Sequence, residues 1–185
     1  RRYLDWDIKT TQNCVSDIRL NTEVTKELVR EIQPDVLIAA IGAEYNIPAI
    51  PGIDQADYLT ITEADLKQKP IGHQVIFCGG GLSATECAIG LAKEGHECIL
   101  IDRLPKEILL TELMDSLNET LKTTCEEMGI RLYDQTELKE IHTHSVVIEK
   151  DGAAQTLSCD TVVLSLGLHP DLEKQEALRF LAPET

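Results

Sequence analysis

The stretch that most constrains this chain is residues 74–86, Gln-Val-Ile-Phe-Cys-Gly-Gly-Gly-Leu-Ser-Ala-Thr-Glu. An apolar run at 75–78 meets three glycines and passes without a break into an amphipathic segment. Such a chain leaves a buried strand, turns sharply and enters a helix. The spacing Gly79-x-Gly81-x-x-Ala84 is that of the strand–turn–helix fingerprint of a dinucleotide-binding βαβ unit. Gly79 permits the tight turn, Gly81 lets the backbone approach a pyrophosphate, and Ala84 allows the helix to pack closely on the sheet. The start of that helix offers free N–H groups and a positive dipole end to phosphate.

The following residues complete the unit. Ala84, Cys87/Ala88 and Leu91/Ala92 share one helix face, and Lys93 with Gly95 forms a C-terminal signature. Residues 97–101 read as a second strand, and Asp102 stands at its end, about 20 positions beyond the turn. There its carboxylate can accept hydrogen bonds from the adenosine ribose hydroxyls. Without a basic cluster beside it, Asp102 favours NAD(H) over NADP(H). Arg103 suits either a 2′-phosphate contact or solvent. Glu86 lies near the helix start, where a negative charge suits the dipole with or without a ligand.

Elsewhere, periodicity and breakers predict a helix over 3–15, a brief strand at 17–20, and a helix capped by Asn21 or Thr22 that runs to Arg30 and is stopped by Pro34. Residues 35–41 read as a buried strand ending at Gly42, and 44–52 as a proline-marked loop. A short strand at 57–60 and a short helix from Thr62 lead to the glycine unit. Thr111 is placed to cap a helix with an apolar stripe of Leu113/Met114, Leu117, Leu121, Cys125 and Met128. Residues 130–133 read as a third strand of the same sheet. From Glu137 the pattern changes to period two, an antiparallel meander with a turn at Asp151-Gly152. Residues 160–166 form another buried strand ending at Gly167, and 171–181 read as helical. The stretches 35–42 and 160–167 repeat one pattern: Asp, an apolar run, then Gly. They bracket the glycine unit, as strands crossing between two domains would.

A net charge of -15 argues against nucleic acid or an anionic membrane as partner. No apolar run reaches the length of a membrane span, and no signal peptide is visible. The six cysteines lack a C-x-x-C pair and read as small buried hydrophobes in a reducing, cytoplasmic compartment. The histidines show no metal-ligand spacing; His142 and His144 read as surface, and His169, just after the Gly167 turn, lies where a cofactor could pass but reads rather as a loop residue. No catalytic nucleophile–base pair and no metal site can be assembled, which leaves cofactor placement as the chemistry. Both termini read as cuts within a longer protein.

Residues 21–25, 34–43, 50–53, 75–81 with Glu86, and 162–167, taken in order, resemble the C-terminal region of the large NADH:flavin oxidoreductases of the Old Yellow Enzyme type. That group includes 2,4-dienoyl-CoA reductase, enoate reductase and trimethylamine dehydrogenase. The resemblance implies an α/β fold: a Rossmann-like βαβ dinucleotide-binding domain with an antiparallel β-meander, inserted in part of a second FAD/NAD(P)-binding-type domain. It implies a partial outer, FAD-type domain at 1–68, an inner NAD(P)H-binding domain at 69–159, and a return strand with a truncated outer segment at 160–185. Gly79, Gly81, Leu82, Ser83, Ala84 and Glu86 would then line the pyrophosphate and nicotinamide side, Asp102 and Arg103 the adenosine side, and Gly167 the returning strand. The resemblance further implies that NAD(P)H delivers hydride to FAD, with onward transfer to FMN and an iron–sulfur cluster in domains absent here. Its partners would be the nicotinamide dinucleotide and the remaining domains of the parent flavoenzyme, and a homo-oligomer stays open. The isolated segment is expected to be inactive. The competing reading is a non-catalytic Rossmann-type module for nucleotide sensing or docking.

Overall fold

The continuous apolar run at 75–78 has a structural cause: it is a central strand with both faces covered. The computed structural model describes residues 2–111 and 113–179. In chain order its elements are α1 (Arg2–Cys14), α2 (Lys26–Ile32), β1 (Glu44–Tyr45), β2 (Tyr58–Thr60), α3 (Ile61–Asp65), β3 (Gln74–Cys78), α4 (Leu82–Lys93) and β4 (Glu97–Ile101). They continue with α5 (Asp115–Glu127), β5 (Arg131–Tyr133), β6 (Glu137–His142), β7 (Ser145–Lys150), β8 (Ala153–Ser158), β9 (Thr161–Leu164), β10 (Leu168–His169) and α6 (Leu172–Arg179). Ala43–His169 form one compact unit; the residues before it and those from Pro170 onward form another.

In the larger unit a five-stranded sheet has the order β2-β9-β3-β4-β5, with every neighbouring pair parallel. Side chains alternate across it. Val75, Phe77, Cys98, Leu100 and Val163 face a core shared with α4 and α5. Ile76, Cys78, Ile99, Ile101, Val162 and Leu164 face a second core that includes Ile141, Val146 and Ile148 of the meander. Helices therefore cover one face and the β6-β7-β8 sheet the other, so neither face of β3 tolerates a polar residue. Val75, Ile76 and Phe77 are wholly inaccessible to solvent. Each such side chain contributes about 1.5–3 kcal/mol, far more than any surface ion pair of this acidic chain. The fold is thus an α/β Rossmann-like dinucleotide-binding fold with a parallel sheet and an antiparallel meander. The meander's tight turn at Asp151-Gly152 has φ of 53° and 76°, the signature of a type I′ hairpin.

Several local expectations are corrected. Residues 17–20 form no strand. Asn21 sits at φ 52° in a turn and cannot adopt the extended cap conformation; Thr25 caps α2 instead, accepting from Leu28 N–H at 3.3 Å. Residues 35–41 are not a buried strand: no described strand pairs with them, and Val36 and Ile38 are 73% and 84% exposed. An apolar run supplies a strand's side chains but not the partner edge it needs. α3 starts at Ile61, one residue before Thr62, and Thr60 caps it in a reciprocal capping box with Glu63. The Thr60 backbone N–H donates to the Glu63 carboxylate and holds its pKa below the usual value. Thr111 caps nothing; its hydroxyl donates to Ile108 C=O within a run of turns, and α5 begins only at Asp115. Of that helix's expected stripe Leu121 is buried, whereas Met114 and Leu117 are exposed. The last expected helix is α6; residues 180 and 181 lie outside the described residues.

Of the two stretches that repeat, 35–42 and 160–167, only the second contains a described strand, β9. β1 and β10, just beyond Gly42 and Gly167, pair antiparallel as a short ribbon, Glu44 opposite His169 and Tyr45 opposite Leu168.

Cys78, Cys87, Cys98 and Cys159 are buried and free, and Cys14 is exposed. Burial pushes the thiols of Cys78 and Cys98 up to about 12, and those of Cys87 and Cys159 to about 11. Below the ordinary thiol value both folded and unfolded chains keep these protons. Between pH 9 and about 11–12 only the unfolded chain releases them, so folding stability falls across that window. A thiol-specific reagent at pH 8, followed by mass spectrometry, is expected to label Cys14 in the folded protein and the four buried cysteines only in urea. Rapid labelling of Cys78 in the folded state would contradict this placement.

The glycine turn yields a second expectation. A Cβ on Gly79 would meet Ser165 C=O at 2.1 Å, at φ 112°, whereas one on Gly81 would meet nothing within 4 Å. Gly79→Ala is therefore expected to destabilise by about 3 kcal/mol or more, and Gly81→Ala by about 1 kcal/mol or less, read from urea denaturation. Equal losses would show that the turn is not packed as described.

Candidate nucleotide site

The glycine turn lies where the C-terminal ends of β3, β4 and β9 meet. From β3 the chain proceeds to β4 on one side, while β9 lies on the other. This divergence opens a crevice beyond the strand ends, the usual ligand position in open α/β sheets. A cavity of about 680 Å³ occupies it, walled by the turn, by residues 101–104 and 136–138, by 165–167, and by the proline-marked loop at Asn46–Pro48.

Each glycine of the turn has a different task. Gly79 N–H donates to Ile101 C=O at 2.8 Å, and its missing side chain lets the turn press against the end of β9. Gly80 N–H donates to Asp102 Oδ2 at 2.7 Å, and its carbonyl accepts from the Thr85 hydroxyl. Gly81 is extended, with open space beside it, and serves as the N-cap of α4 without any side-chain cap. The first turn of α4 carries no acidic residue and its N-cap no side-chain bond, while the Asp102 carboxylate is bonded to Gly80 N–H just ahead of it.

The structure brings Gly79, Gly81, Leu82, Ser83, Asp102, Arg103 and Gly167 to one cavity wall. Ala84 is fully buried in the helix-side core, in keeping with close helix packing rather than with the cavity. Glu86 is exposed on α4 and is not on the wall. Asp102 Oδ1 also accepts from Leu104 N–H at 2.8 Å, so both carboxylate oxygens already hold backbone donors. Gly167 has φ 84°; a Cβ there would stand 3.4 Å from Asn46 Nδ2.

Asn46–Pro48 and Thr136–Leu138, which no sequence motif marks, also line the cavity, as does His169 just beyond Gly167. Asn46 is fixed there by two bonds, its backbone N–H to Gly167 C=O and its Nδ2 to Leu166 C=O, both at 3.1 Å. No spacing rule links position 46 to position 166. Glu137 at the far end is ion-paired with Lys139 at 2.7 Å. Among the described residues no group of side chains could hold a metal ion, and no helix is long and apolar enough to cross a membrane.

The sequence profile of the pyridine nucleotide-disulphide oxidoreductase family matches residues 5–182. The chain is 27% identical over 165 residues to the nitric oxide reductase FlRd-NAD(+) reductase of Escherichia coli, covering 85% of this chain and 42% of that protein. Among solved structures it is similar to 2-naphthoyl-CoA reductase in complex with 2-naphthoyl-CoA, with TM-score 0.78 and 23% identity, over 99% of this chain and 27% of that one. It is also similar to an FAD-dependent pyridine nucleotide-disulphide oxidoreductase from Desulfovibrio vulgaris, with TM-score 0.60 and 22% identity, over 75% and 37%. The chain thus spans less than half the length of these proteins. The assignment to the Old Yellow Enzyme type is overturned by the profile match and by the relatives that carry it. The motifs behind that assignment belong to the dinucleotide-binding fold itself and report nothing about a barrel or a metal cluster elsewhere. The expected relay to FMN and iron–sulfur rested on that assignment alone. The chain belongs to the pyridine nucleotide-disulphide oxidoreductase family.

Proposed function

We propose that the cavity beside Gly81 binds a nicotinamide dinucleotide, NADH in preference to NADPH, within a longer flavoenzyme whose FAD accepts its hydride. The observation that carries this reading is the uncapped start of α4, opening on the cavity through a glycine with free space beside it. That arrangement fits a pyrophosphate: the first N–H groups of α4 have no side-chain cap, its first turn carries no acid, and the backbone can be approached closely. When bound, the nicotinamide ring supplies a hydride to the flavin.

The chain's own residues bind and orient. The backbone around Leu82 and Ser83 holds the pyrophosphate, and Asp102 with Arg103 flanks the adenosine end. Asn46–Pro48 and Ser165–Gly167 wall the opposite end. Asp102 lies on the cavity lining beside Arg103, whereas Glu137, also on the lining, is ion-paired with Lys139. An acid at the adenosine end disfavours a 2′-phosphate there, which supports NADH, as does the NAD(+) in the name of the Escherichia coli relative.

A fluorescence titration separates the possibilities. NADH is expected to bind more tightly than NADPH. Gly81→Ala is expected to weaken NADH by about tenfold or more while leaving stability nearly unchanged, because its Cβ fills only the space the pyrophosphate needs. Unaltered NADH affinity in that variant, or no binding of either nucleotide to the wild type at millimolar concentration, would refute the reading.

A further inference from the structure

Asp102 is the residue at which the cavity wall is tied together. Its Oδ2 accepts from Gly80 N–H at 2.7 Å and its Oδ1 from Leu104 N–H at 2.8 Å. Its own backbone N–H donates to Tyr133 C=O at 2.9 Å, and its carbonyl accepts from Thr136 N–H at 2.8 Å. Four bonds from one residue therefore join the glycine turn, the loop after β4 and the connection between β5 and β6. All three segments line the cavity. Gly80 is packed to match: a Cβ there would stand 3.2 Å from Asp102 Cβ. The carboxylate bonds are charge-assisted and thus stronger than the neutral turn bonds around them.

From this geometry we infer that Asp102 is a positioning residue for the glycine turn, not simply a reader of the ribose. A carboxylate that holds Gly80 by its N–H fixes the peptide planes on either side of it, and with them Gly81 and the first N–H groups of α4. The acid then acts on the ligand through the pyrophosphate end of the site, at a distance from its own side chain. The same bond commits the Gly80 N–H, leaving the phosphate to the donors that follow Gly81. This inference rests on the nucleotide reading for its ligand, but the clamp itself can be measured without one.

The test combines amide hydrogen exchange with binding, on the wild type, Asp102→Asn and Asp102→Ala. The Gly80 and Leu104 amides are expected to be protected in the wild type and to exchange at least about tenfold faster in both variants, with the β3 and β4 amides unchanged. NADH and its 2′-deoxyadenosine analogue are expected to lose affinity by the same factor in Asp102→Ala, about tenfold or more. Asp102→Asn, which keeps an acceptor for one of the two N–H groups, is expected to lose less. A loss confined to NADH, with the deoxy analogue unaffected, would make Asp102 a ribose reader and overturn the inference. So would unprotected Gly80 and Leu104 amides in the wild type, a measurement that needs no variant to fold. If the wild type binds neither nucleotide, the proposed function falls, and the exchange data alone decide the clamp.

Discussion

Everything in the larger unit depends on burying β3 from both sides. Val75 and Phe77 enter the helix-side core, Ile76 and Cys78 the meander-side core, and none has appreciable contact with water. A strand held this way cannot bend or slip, since a one-residue shift would exchange its two faces. The chain must therefore leave the sheet abruptly at Cys78, in a turn squeezed between the ends of β4 and β9. Only glycine can occupy position 79, because its Cα lies against the Ser165 carbonyl at positive φ. The proposed nucleotide site is a consequence of that packing: the crevice forms where the neighbours of β3 diverge, and the turn exposes the start of α4 to it.

The family's name mentions a disulphide, and the cysteines bear on it. Four thiols lie inside the two cores with pKa values driven far above neutral by burial. A thiol that keeps its proton is a poor nucleophile. These four cysteines pack as small apolar side chains.

Much of this was legible in the sequence because the signals are local. The turn, α4, the acid at the end of β4 and the Asp151-Gly152 hairpin each follow from residues within a few positions of one another. What failed was non-local. Residues 35–41 have the composition of a buried strand, but composition says nothing of whether a partner edge is present. Asn46 and His169 reach the cavity through a ribbon pairing segments more than a hundred positions apart. Asp102 was found by its spacing, yet its bonds to Gly80 and Leu104 could not be. The resemblance to the Old Yellow Enzyme type fails for a related reason: motifs shared by a whole fold do not mark any one family that uses it.

The central claim, that the glycine turn and the crevice beyond β3, β4 and β9 hold a nicotinamide dinucleotide, is tested most directly by backbone amide NMR during an NADH titration. Saturable shifts are expected at Gly81, Leu82 and Ser83 together with Ser165–Gly167 and Asn46, while the outer strand β8 stays unmoved. Saturable shifts that cluster elsewhere and leave the turn untouched would contradict it.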